Sequence, residues 1–205
     1  MTAFRGDLRR FLRLRDAQDV AHFEVGSVES EPTHERWRIH YPSRDGEAIL
    51  EDAEVALSVL AGLPSVDPAR LGIAGHSYGG NTALFQAALD ERVRYACTSG
   101  ALCSFRTKMQ HGTGIELSLA VPGLLERCEE DDLVRCCVPR PLLVVSGTED
   151  EYARDAPEMV RLAAPSYAAL NASDALELAH YEGGHALTPT RFERIMAWLA
   201  QRAAL

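Results

Sequence analysis

A serine between glycines, Gly75-His76-Ser77-Tyr78-Gly79-Gly80, separates a short apolar run, Arg70 to Ala74, from an alanine-rich helical stretch, Asn81 to Asp90. A chain that leaves a strand and enters a helix through so few residues must turn sharply, with the serine hydroxyl exposed at the strand's end. Glycines on both sides are expected because side chains there would collide with neighbouring backbone. The same alternation continues downstream. Val93 to Ser99 reads as a strand, Leu124 to Cys137 as a helix, and Leu142 to Ser146 as a fully apolar strand of buried type. Met159 to Leu170 is helical with a break expected at Pro165, Leu176 to Tyr181 is a last strand, and Pro189 to Arg202 a last helix. Strands alternating with helices predict an α/β fold, a mostly parallel sheet with helices on both faces.

Upstream the pattern is weaker. His22 to Val28 and Glu35 to Tyr41 read as two strands, with a turn at Pro42, Ser43, Asp45 and Gly46, and Asp52 to Leu63 as a helix. With no repeat, low-complexity tract or linker, one domain is expected over residues 1–205. An N-terminal helix and strands (1–49) precede the core that carries the chemistry (50–205). Phe4, Leu8, Phe11 and Leu12 fall at helical spacing among Arg5, Arg9, Arg10, Arg13 and Arg15, without the apolar run of a secretory signal. That helix packs on the domain or, against the presence of Asp7 and Asp16, meets a membrane surface.

Composition removes several classes. A net charge of −9 argues against nucleic acid as a partner, since phosphate neutralisation needs clustered positive charge. No apolar stretch is long enough for a membrane span. Five cysteines (Cys97, Cys103, Cys128, Cys136 and Cys137), odd in number and without a C-x-x-C pair, fit reduced thiols in a cytoplasmic protein. No His/Cys/Asp cluster has ligand spacing, so neither a metal nor an organic cofactor is implied. Lys108 is the single lysine among 21 basic residues.

A nucleophilic serine needs a base, and the base an orienting acid. Gly147-Thr148-Glu149-Asp150 follows the apolar strand, and Gly183-Gly184-His185 follows the last one. Ser77, Asp150 and His185 would therefore meet at the carboxyl edge of the sheet, where α/β proteins place their sites. Tyr78 N–H, opening the helix after Ser77, would face a developing oxyanion. Glu149 and Asp155 are rival acids, Glu149 expected to be solvated. His180 is expected on the sheet, and His76 is expected to face away from the serine. His22, His34, His40 and His111 have no suitable setting.

The segments Asp67 to Gly80, Val121-Pro122-Gly123-Leu124-Leu125, Pro139 to Gly147 and Gly183-Gly184-His185, in that order, resemble the α/β-hydrolases of the dienelactone hydrolase and acetyl xylan esterase type. The resemblance runs from about Leu50 to the C-terminus. It implies an α/β-hydrolase fold with Ser77 as nucleophile, Asp150 as acid and His185 as base, with Gly75 and Gly79 framing the nucleophile elbow. Serine at position 77, where dienelactone hydrolases carry cysteine, favours the esterase side, with a small-molecule ester as the default substrate.

The chain departs from that family at one place. A strand ending in a His-Gly-rich loop, which gives the second oxyanion-hole N–H, is missing together with the helix after it. Arg44 to Ile49 resembles the family's opening strand region, yet only 26 positions separate Ile49 from Gly75, room for one helix and one strand. The fold is thus expected to be shortened on its N-terminal side. His111-Gly112-Thr113-Gly114 resembles the missing loop in composition but follows the nucleophile. Three functions fit: a serine carboxylic-ester hydrolase, a crippled hydrolase serving as a binding or assembly module, or a peptidase or acyltransferase on the same triad. The strand before Ser77 would lose its neighbour, and pairing with a second copy is one remedy. Size-exclusion chromatography is then expected to show a homodimer; a monomer alone removes that remedy.

Overall fold

A computed structural model describes residues 2–12, 24–31, 34–40, 49–113 and 123–204. Arg13, Arg15, His22, the turn expected at 42–46, Gly114, Val121 and Pro122 lie outside the described residues. The elements are α1 (Thr2–Phe11), β1 (Glu24–Glu31), β2 (His34–His40), α2 (Ile49–Gly62), β3 (Gly72–His76), α3 (Tyr78–Leu89) and β4 (Tyr95–Ser99). They continue with α4 (Phe105–His111), α5 (Glu130–Cys137), β5 (Leu142–Gly147), α6 (Ala156–Ala168), β6 (Leu176–Tyr181) and α7 (Pro189–Ala203).

Four strands form one parallel sheet in the order β3-β4-β5-β6, while β1 and β2 pair antiparallel as a separate two-stranded sheet. The central strand β5 is buried throughout, and its period of two divides the core. Leu142 and Val144 face a cluster with Leu84, Ala88, Leu133, Met159 and Tyr167 from α3, α5 and α6. Leu143 and Val145 face Ile195 and Trp198 of α7. Helices therefore cover both faces. β3 has no strand on its outer side among the described residues, which agrees with a fold shortened there.

The basic N-terminal helix packs on the domain. Leu8 is buried, and Phe4, Phe11 and Leu12 pack against the larger core cluster. Arg5 is buried too: its Nε donates to Ala88 O at 2.7 Å and its Nη2 to Cys136 O at 2.6 Å. A cation thus sits among the carbonyls that end α3 and α5, where helix dipoles favour it.

Several boundaries differ from expectation. The turn around Ser77 is tighter: β3 runs through His76 and α3 begins at Tyr78, so Ser77 alone is the junction. Leu124 to Cys137 is not one helix. Leu124–Glu126 is a single 3₁₀ turn, and α5 starts afresh where Glu129 and Asp132 form a reciprocal capping box. α6 runs through Pro165 without a break. Pro165 stands on the exposed side, where water can satisfy the carbonyl that its missing N–H leaves unpaired. α4 was not expected at all; Ser104 caps it, accepting from Thr107 N at 3.1 Å.

Asp155 anchors that cap to the start of α6. It accepts from Ser104 N at 2.9 Å, Ser104 Oγ at 2.7 Å and Thr107 Oγ1 at 2.8 Å. Burial pushes its carboxyl up, but hydrogen bonds from Ser104, Cys103 and Thr107 outweigh that and hold it below its ordinary value. All five cysteines are buried; desolvation pushes Cys97, Cys103, Cys128 and Cys137 to about 12 and Cys136 to about 11. They are packing residues, not nucleophiles.

Two expectations follow from these contacts. A Cβ on Gly75 would stand 2.0 Å from Gly79 O and 2.2 Å from Gly79 C, so Gly75→Ala cannot be absorbed by a rotamer change. Its melting temperature should fall by an amount matching a loss of about 3 kcal/mol, at the upper end for overpacking; an unchanged melting curve would contradict this geometry. Because Asp155 titrates lower folded than unfolded, the unfolded state binds more protons as pH drops, and this stability is lost as pH falls through the folded value. Asp155→Asn should be less stable at pH 7 by about 1–3 kcal/mol. In urea unfolding from pH 7 to 3 the gap to the parent should narrow below about pH 4, the ordinary carboxylate range.

Candidate active site

Ser77 occupies a torsion that few residues other than glycine adopt, φ 58° and ψ −125°. The turn is held from several sides. Ser77 N donates to Ser99 O at 2.8 Å, and Gly80 N donates back to Ser77 O at 2.8 Å. The glycine requirement is divided differently from the sequence expectation. Gly75 has no room for a Cβ, and a Cβ on Gly80 would meet Ser99 O at 2.7 Å, whereas one on Gly79 would stand in open space. Gly79 matters through its backbone, which abuts Gly75.

The sheet register brings the other two groups level with the serine. His76 pairs with Ser99, Ser99 with Val145, and Val145 with Ala179, so β3, β5 and β6 end at one edge. The loops after β5 and β6 are laced together. Thr148 N donates to Tyr181 O at 2.8 Å, Glu149 N to Gly183 O at 3.0 Å, and Gly183 N to Thr148 Oγ1 at 3.1 Å. Gly147 permits this approach, since a Cβ there would stand 2.3 Å from Gly183 O. Arg191 is buried in α7 and braces the His185 loop, its Nη1 donating to Gly184 O at 2.7 Å and Ala186 O at 2.9 Å.

Within this frame His185 Nε2 lies 2.7 Å from Ser77 Oγ, and His185 Nδ1 lies 2.9 Å from Asp150 Oδ1. With Nδ1 donating to the carboxylate, Nε2 is left to accept the serine proton. Asp150 is 1% exposed; its Oδ1 also accepts from Tyr152 N at 3.0 Å, and its Oδ2 has no hydrogen-bond partner among the described residues. The imidazole lies between Tyr152, at 4.5 Å between ring centroids, and His76, at 4.9 Å.

The rival groups fall elsewhere. Glu149 is exposed, and Asp155 is committed to Ser104 and Thr107. His180 lies on β6 against Ser146 Oγ at 2.8 Å. His76, by contrast, does not face away: its ring packs on His185 while Nδ1 contacts Ser99 Oγ at 3.0 Å. Burial and the neighbouring His185 lower its pKa. His111-Gly112-Thr113 is no displaced oxyanion loop. It is the C-terminal cap of α4, with Gly112 at φ 65° and the N–H groups of Gly112 and Thr113 both committed to Lys108 O.

A cavity of about 230 Å³ opens at the serine, lined by Tyr78, Asn81, Gly100, Lys108 and Tyr152 besides Ser77 and His185. Its inner wall holds a buried ion pair between Lys108 and Glu130, each 1% exposed. Burial pushes the Glu130 carboxyl up to about 7, with Lys108 pulling the other way. The sequence signal for this pair was only the singularity of the lysine. Among the described residues no group of three or more His, Cys, Asp or Glu could hold a metal ion.

The acetyl xylan esterase family model matches residues 47–116, the segment that contains the elbow. No curated protein matches the chain. Among solved structures, the catalytic domain of a glucuronoyl esterase from Hypocrea jecorina is 15% identical with a TM-score of 0.63, covering 78% of this chain and 52% of that one. The carbohydrate esterase family 15 glucuronoyl esterase from Caldicellulosiruptor kristjansonii is 19% identical with a TM-score of 0.59, over 75% of this chain and 49% of that one. The family 15 glucuronoyl esterase from Teredinibacter turnerae T7901 is 22% identical with a TM-score of 0.58, over 76% and 46%. This chain spans about half the length of those structures. A parallel sheet flanked by helices, an elbow after its edge strand and these likenesses together give the chain an α/β-hydrolase fold, shortened beside the strand that leads into Ser77.

Proposed function

We propose that the chain is a serine carboxylic-ester hydrolase that works through an acyl-enzyme on Ser77. The observation that carries this reading is the continuous relay from Ser77 Oγ through His185 to a buried Asp150. His185 Nε2 takes the Ser77 proton as Oγ attacks the ester carbonyl, and the carbonyl π pair moves onto oxygen. Asp150 stabilises the imidazolium and fixes its tautomer. Tyr78 N–H, at the positive end of α3, donates to the oxyanion. Collapse reforms the carbonyl, the alcohol leaves with the proton from Nε2, and water repeats the sequence to release the acid and free Ser77.

The similar proteins are described as acetyl xylan and glucuronoyl esterases, which favours a carbohydrate-linked ester. The cavity of about 230 Å³ favours a small acyl group such as acetyl, being below the usual range for drug-sized ligands. Purified protein should hydrolyse p-nitrophenyl acetate, and Ser77→Ala should lower kcat by at least about 10³-fold with the fold retained. Equal rates in the two proteins would overturn the reading.

A further inference from the structure

The cavity wall facing the nucleophile carries a group that the relay does not use. Asn81 lies one helical turn beyond Ser77 on α3, helical side chains lean toward the N-terminus, and Asn81 lines the same cavity as Ser77 and Tyr78. Its Oδ1 accepts from Lys108 Nζ at 3.3 Å. Lys108 is in turn held by Glu130, whose other oxygen accepts Cys103 N at 2.9 Å. An ammonium has only donors, so it fixes the oxygen end of the amide toward itself and turns the NH₂ end away. Among the described residues that NH₂ has no hydrogen-bond partner, and it is not one of their sealed, unsatisfied polar atoms. Asn81 is 6% exposed and lines the cavity, and with Oδ1 turned to Lys108 the NH₂ is the end left to face it.

Donor accounting shows why this matters. An oxyanion needs a second donor, and the backbone N–H groups around the cavity are largely spent. Ser77 N is bonded to Ser99 O, Asn81 N to Ser77 O, Gly100 N to Val145 O, Lys108 N to Ser104 O and Tyr152 N to Asp150 Oδ1. We propose that the Asn81 carboxamide, oriented by the buried Lys108–Glu130 pair, donates the second hydrogen bond to the oxyanion formed at Ser77. This assignment rests on the serine-esterase reading. Asn81 is then a catalytic residue that binds the oxygen as the electron pair moves onto it, without giving up its proton. Lys108 is a positioning residue.

The test compares the parent with Asn81→Ala and the isosteric Asn81→Asp, which keeps the Lys108 contact but offers no NH₂. Thermal melting checks that each is folded. With p-nitrophenyl acetate and butyrate, kcat should fall about 10²–10³-fold in Asn81→Ala and at least as far in Asn81→Asp. KM should change little, and the factor should be the same for both esters, because the oxyanion is common to them. Lys108→Met should lower kcat with the same indifference to the acyl chain. Labelling of Ser77 by a fluorophosphonate, whose phosphoryl oxygen takes the oxyanion's place, should slow in parallel. A raised KM with kcat intact, or a loss confined to one ester, would make Asn81 an acyl-group contact and overturn the assignment. Variants as fast as an active, labelled parent would overturn it alone. A parent neither active nor labelled would overturn the esterase reading and this assignment with it.

Discussion

The backbone torsion at Ser77 is the constraint from which the site is built. A non-glycine residue at φ 58° is strained, and such conformations persist only when the surroundings over-determine them. Here the surroundings are specific: the Ser77 N–H tied to β4, the Gly75 backbone pressed on Gly79, and Gly80 pressed on Ser99. α3 is thereby clamped to β3 and β4, its N-terminus aimed at the cavity. The register of four parallel strands then places the loops bearing Asp150 and His185 at the same edge. Strain at one residue is offset by packing across the whole sheet.

This explains how a shortened fold keeps a complete relay. The chain spans about half the length of the esterases it resembles, and β3 has no outer neighbour among the described residues. Yet Ser77, Asp150 and His185 all leave strands of the four-stranded sheet. On the esterase reading, the expected cost of the shortening is the second oxyanion donor that a neighbouring strand would carry. A side chain one turn into α3 needs no such strand, because the helix that positions it is the one clamped at Ser77.

Much of this was legible in the residues themselves. The elbow, the buried strand Leu142 to Ser146 and the Gly-rich loops before Asp150 and His185 are local patterns, so the strand order of chemistry along the chain could be read directly. What escaped depends on tertiary contacts. α4 is short and capped by a serine that a distant carboxylate, Asp155, holds in place. A proline within a helical pattern reads as a break, because its exposure in α6 is not written in the local pattern. His76 was expected to turn from the serine, but alternation at a strand's end does not say what lies across the next loop. Lys108 stands out in the sequence only as the chain's lone lysine; its burial against Glu130 requires α4 and α5 to meet.

The docking of α1 also bears on how the chain folds as it is made. Arg5 bonds the carbonyl of Cys136, 131 residues further along, and that of Ala88, 83 residues along. At synthesis rates of about 5–20 residues per second, α1 emerges roughly 7–26 s before its farther anchor exists. For that interval Phe4, Leu8 and Phe11 wait for the core residues of α5 that they later pack with. The Arg5 guanidinium, hydrated until then, is afterwards buried as the clasp that holds α1 to the carbonyl ends of α3 and α5.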